Sequence, residues 1–172
     1  MFRPLFLIIF LIIGVLFTLG YTQFPLMHIK TLLTDATIYT DRIETVEVNG
    51  EHRFANTVND TYKQYFQYLY ISSIITTCLI GGGIIVSYLR MKFISKILFI
   101  LAKLFMILFS SSILMLYYSS YIENNIVTEL PDGIQIPNEY KNITKTYGTG
   151  AILIMLATSI MIVNYILYCF IG

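Results

Sequence analysis

Residues 66–89 read FQYLYISSIITTCLIGGGIIVSYL, 24 residues without one charged side chain or histidine. A bilayer core of about 30 Å needs roughly 20 apolar residues at about 1.5 Å rise each. This run therefore predicts a membrane-spanning helix. Working outward, residues 97–121 carry only Lys103, residues 149–171 carry no charge, and residues 4–20 carry none either. Four spans follow: 4–20, 66–89, 97–121 and 149–171. Between them lie polar segments at 21–65 and 122–148 and a short link at 90–96. Residues 1–172 form a single integral domain in this reading.

Composition agrees. Of 172 residues, 56% are hydrophobic and 12% charged, whereas a soluble domain carries about 25% charged residues. An ordinary soluble globule is excluded. A net charge of +1 offers no basic field for nucleic acid, and 14 Tyr with 12 Phe are too many aromatics for a disordered chain.

Lys and Arg near span ends set orientation. The link holds Arg90, Lys92 and Lys96 with no acid, and Lys103 follows close behind. These four are expected to anchor the cytoplasmic face, with Lys103 snorkelling back to the headgroups. The two long loops, richer in acids, then lie outside, and both termini lie inside. Tyrosines mark the borders: Tyr62, Tyr65, Tyr68 and Tyr70, then Tyr117, Tyr118 and Tyr121 at the outer level, and Tyr88 and Tyr168 at the inner. Residues 1–20 share features with a signal peptide, including Thr18-Leu19-Gly20. The apolar stretch is long for one, so a retained span is expected.

Residues 36–54 are rich in β-formers around Asn49-Gly50, a pair suited to a two-residue type I′ turn. That turn sets Val48 opposite Glu51 and Val46 opposite Arg53. Residues 24–33 are expected to lie on the membrane or under this hairpin. In the later loop, Leu130-Pro131-Asp132-Gly133 is a turn signature, and Ile134 to Ile136 reads as a short strand that adds to the hairpin. The fold class is a mostly α membrane protein: a four-transmembrane-helix bundle with a small extracellular β-sheet formed by the first and second outer loops. The sequons Asn59-Asp60-Thr61 and Asn142-Ile143-Thr144 both fall outside, so Asn59 and Asn142 are glycosylation candidates.

Within the spans, Asn164 is expected to bond a neighbouring helix, and Gly81, Gly82, Gly83, Ser110 and Ser111 to allow close helix packing. The sharper alternative is that Ser and Thr line a water-filled path in an oligomer. Cys78 and Cys169 both lie in spans, so the loops hold no disulfide, and His28 and His52 stand alone. No catalytic motif, haem-ligand pair or metal-ligand spacing occurs. No cofactor and no enzymatic activity are expected.

The layout of a β-rich first outer loop, a tiny basic inner link, a shorter second outer loop and inner termini resembles the claudin and peripheral-myelin-protein-like tetraspans. The similarity covers the whole chain as an arrangement. That family's mark, a Trp, then Gly-Leu-Trp, then two cysteines in the first loop, is not present here. The resemblance implies a fold and carries no residue's role with it. Gap-junction-like channels share the topology but need several loop cysteines. The leading expectation is a non-enzymatic accessory or structural subunit of a membrane complex. Its partners are the lipid bilayer and other integral membrane proteins or copies of itself, in the plasma membrane or an endomembrane. A pore-forming channel or transporter subunit is the second reading, and a viral-envelope or membrane-fusion component the third.

Overall fold

The computed structural model describes residues 3–30, 34–39, 43–47, 52–54, 60–118 and 144–171. Four helices run through them: α1 (Arg3–Thr22), α2 (Asp60–Tyr88), α3 (Lys92–Tyr118) and α4 (Thr149–Ile171). All four are long and apolar enough to cross a membrane. Five strands lie in the segments between α1 and α2 and between α3 and α4: β1 (Met27–Lys30), β2 (Thr34–Ile38), β3 (Ile43–Glu47), β4 (His52–Phe54) and β5 (Thr144–Tyr147). They form one antiparallel sheet in the order β4-β3-β2-β1-β5. The mostly helical, sheet-capped architecture is therefore present, with the sheet at one end of an alternating up-down bundle.

Apolar residues occur all round the helices, so sequence alone does not reveal which face turns inward. Packing resolves this. On α1, Phe6, Phe10, Ile13 and Phe17 recur at helical spacing and are buried, while Leu5, Ile8, Leu11, Ile12 and Val15 are exposed. On α3 the inward stripe is Ser95, Phe99, Ala102, Met106, Phe109 and Ile113. α1 packs most extensively against α4, and α2 against α3, while α1·α2 and α3·α4 close the ring. Aromatic rings fill the centre. Phe10 stacks on Phe99 with centroids 3.8 Å apart, and Tyr168 meets both rings edge-on at 5.6 Å. Such pairs add about 0.5–1.5 kcal/mol beyond area burial.

The link assigned to 90–96 is shorter than expected, because α3 begins at Lys92. Lys92 and Lys96 thus belong to a helix: charge interrupts a hydropathy window but not helical geometry. Likewise α2 starts at Asp60, before the apolar run does. Residues 27–30 form a strand within the sheet, not a segment beneath it, with Met27 and Ile29 buried and His28 and Lys30 exposed. Their partners on β2 include the buried Ile38 and Ala36. The β3–β4 register differs from that of a two-residue turn, since Val46 pairs with His52 and Thr45 with Arg53. That pairing requires an odd number of connecting residues, and hairpin register follows loop length. The strand that the second long segment contributes is Thr144–Tyr147, paired with β1. Asn49, Gly50, Asn59, Asn142, Tyr121, the turn at 130–133 and the strand at 134–136 lie outside the described residues.

Candidate functional site

Three places gather the polar side chains: the junction of sheet and bundle, the bundle interior, and the end opposite the sheet. At the junction, the chain leaving α1 is bonded to the chain entering α4. Gly148 N donates to Leu26 O at 2.9 Å, Gly150 N to Pro25 O at 2.8 Å, and Leu26 N to Ile38 O at 2.7 Å. This approach leaves no room for a Cβ. One added at Gly20 would stand 2.9 Å from Ile154 Cγ1, one at Gly148 would run into the Pro25 carbonyl group, and one at Gly150 into the carbonyl oxygens of Gly20 and Phe24. Tyr117, near the end of α3, completes the junction: its ring stacks on Tyr147 with centroids 4.1 Å apart. Burial pushes the Tyr147 phenol above its ordinary value, and the neighbouring phenols of Tyr118 and Tyr117 add to the shift.

Sequence reading assigned close packing to none of these three glycines, choosing the Gly81-Gly82-Gly83 triplet and naming Gly20 only within a signal-peptide-like motif. The structure separates that triplet. A Cβ at Gly83 would meet the Phe99 ring at 2.6 Å, one at Gly82 would make an ordinary 3.7 Å contact with Leu98, and one at Gly81 would meet nothing within 4 Å. A signal for the junction did exist in Tyr147-Gly148-Thr149-Gly150-Ala151, where two glycines and an alanine open the last span.

Inside the bundle, hydroxyls bond to helix carbonyls and to one another. Ser72, Ser73, Thr76 and Thr77 donate to carbonyls three or four residues back in α2. The Thr18 and Thr77 hydroxyls lie 3.3 Å apart between α1 and α2. Thr158 donates to Ile154 O, so its 2.9 Å contact with Ser110 is donated by Ser110 across α3–α4. Ser111 sits half-buried beside it. Nearer the far end, Ser95 donates to Gly83 O at 3.0 Å, and the buried Tyr168 hydroxyl lies 3.1 Å from Ser87 Oγ and 3.3 Å from Ser95 Oγ. Asn164 Nδ2 donates to Phe6 O at 3.3 Å, while its Oδ1 is buried without a partner.

The end opposite the sheet is basic. Arg90 adopts φ 64° between α2 and α3. Its N–H bonds Ser87 O at 3.1 Å and the Met91 N–H bonds Val86 O at 3.2 Å, the pair of bonds that defines a Schellman C-terminus. Lys92 and Lys96 occupy the first two turns of α3. Lys103 stands over the Tyr165 ring of α4, 4.6 Å from its centroid. The four basic residues chosen from the sequence therefore come together at one end of the bundle. At the other end, His28 Nδ1 meets Thr37 Oγ1 at 3.2 Å on the exposed sheet face.

No protein-family model matches the chain, and no curated protein matches it either.

Proposed function

We propose that the protein is a multi-pass integral membrane protein, without enzymatic activity, that serves as an accessory or structural subunit of a larger membrane complex. In this reading the sheet is extracellular or lumenal, both termini are cytoplasmic, and the arrangement is that of the claudin and peripheral-myelin-protein-like tetraspans. One observation carries it: backbone bonds at Gly148 and Gly150 join the sheet to the helices and seat it on the bundle as a platform. Such a platform presents a surface to other membrane proteins. The interior supports the same reading, because Ser110 donates its hydroxyl to Thr158 between two helices.

Gentle extraction from the native membrane followed by native mass spectrometry tests this. Copurification of other membrane proteins at fixed ratio is expected. Recovery of the monomer alone, with neither a stoichiometric partner nor self-association, overturns the subunit role. A shift on enzymatic deglycosylation, abolished by Asn59→Gln or Asn142→Gln, reports the side on which the sheet lies.

A further inference from the structure

All ten acidic residues fall between Asp35 and Asp60 or between Glu123 and Glu139. Both stretches lie in segments that leave and re-enter the helices at the sheet end. Among the described residues, the opposite end holds Arg90, Lys92, Lys96 and Lys103 and no acidic side chain.

At about 100° per residue, Lys92, Lys96 and Lys103 fall within an arc of about 40° on α3. The same face carries Ser110, which bonds Thr158 of α4. The lysines therefore line the groove between α3 and α4. Lys96 and Lys103 are each half-buried. The Lys103 ammonium lies over one face of Tyr165, and an ammonium has three donors, so the ring does not exhaust it.

Depth narrows the occupant. Lys103 lies about 16 Å along α3 from its first residue, and a helical side chain leans toward the N-terminus. The ammonium is thus directed back to the headgroup level. Ile100 and Leu104 of α3 and Ile166 of α4 stay exposed beside the groove, a surface suited to acyl chains.

We propose that the groove between α3 and α4 at the basic end binds the headgroup of an anionic phospholipid, its phosphate held by Lys96 and Lys103. This rests on the membrane reading above. An anion there offsets the like charges of Lys96 and Lys103, and basic pockets between spans on the cytoplasmic side are a setting in which such headgroups bind.

The test is to place the full chain in discs of mixed phosphatidylcholine and phosphatidylserine, release it, and weigh the lipids it retains by native mass spectrometry. Phosphatidylserine is expected to be enriched over its share of the disc. Lys96→Gln and Lys103→Gln each lower that enrichment about fivefold, Lys103→Arg keeps it, and Lys30→Gln at the sheet end leaves it unchanged. Lys96→Gln keeps the test decisive if Lys103→Gln fails to fold.

Retention in the disc's own ratio overturns the lipid site, as does an equal loss in Lys30→Gln. Inorganic phosphate bound equally well by the detergent-solubilised chain overturns the assignment to a lipid. A photo-crosslinker at position 103 that captures a carboxylate-bearing helix of another protein, and no lipid, also overturns it. A chain that never enters the discs refutes the membrane reading itself, which separates that failure from the others.

Discussion

Tyr117 and Lys145 each bond the other's backbone: Tyr117 Oη donates to Lys145 O at 3.1 Å, and Lys145 Nζ donates to Tyr117 O at 2.9 Å. The exchange ties the last turn of α3 to the strand that leads into α4. It satisfies one of the helix-end carbonyls that no intrahelical donor reaches. Tyr117→Phe is expected to cost about 0.5–1.5 kcal/mol, the net worth of one hydrogen bond, with ring stacking on Tyr147 retained. Lys145→Met removes a charged donor and is expected to cost more. Denaturation midpoints check this, and equal midpoints for all three proteins would refute the tie.

Two neighbouring glycines should respond with opposite sign. Gly81→Ala gains helix propensity into open space and is expected to stabilise by about 0.5–1 kcal/mol. Gly83→Ala forces Phe99 off its stack with Phe10 and is expected to destabilise by about 1–3 kcal/mol. Thermal unfolding of both variants in the same detergent decides it. Matching shifts would mean that Phe99 does not occupy the space over Gly83.

Arg90 holds a left-handed backbone angle that costs a residue with a Cβ about 1–2 kcal/mol. Arg90→Gly is therefore expected to raise the unfolding midpoint while removing one basic charge from that end. A lowered midpoint would show that the guanidinium contributes more than the strain costs.

Asn164 combines a long bond with an unpartnered carbonyl oxygen. Phe6 O already accepts within α1 by helical geometry, so little is lost when the side-chain amide is removed. Asn164→Leu is expected to be neutral or stabilising, because an orphaned buried acceptor goes with it. A clear loss of stability would reveal a further partner for Oδ1.

Tyr147 supplies the pH dependence. Its phenol is raised above the ordinary value of 10.0, so the folded state favours the neutral form. The contribution is full below pH 10.0 and is lost as pH rises through the raised value of the folded protein. Subtracting the ultraviolet titration of Tyr147→Phe from that of the parent isolates this phenol. Ionisation at or below the ordinary value would contradict its burial against Tyr117 and Tyr118.

How much of this was legible varies with the physics behind each element. The four helices follow from apolar runs of bilayer length, a requirement few sequences meet by chance. The start of α3 was less visible, because Lys92 and Lys96 dilute hydropathy without disturbing a helix. Strand β1 was missed: Met27-His28-Ile29-Lys30 alternates strictly, but four residues after Phe24-Pro25 make a weak periodic signal. The tight glycines were misplaced for a different reason. Whether Gly20 or Gly81 abuts another backbone depends on where a distant segment comes to rest, and no local pattern encodes that. The basic cluster needed no such knowledge, since Arg90, Lys92, Lys96 and Lys103 are neighbours in the chain.

The main neighbour of α1 is α4, and the bond from Asn164 to Phe6 spans 158 positions. During synthesis, α1 must therefore wait for α4. Until residues 144–171 emerge, the close-approach face around Gly20 has nothing to meet, and β1 is paired on one edge only. Closure of the bundle is consequently a late event. A ribosome stalled anywhere before α4 leaves α1, α2 and α3 with an open flank, the state most exposed to quality control.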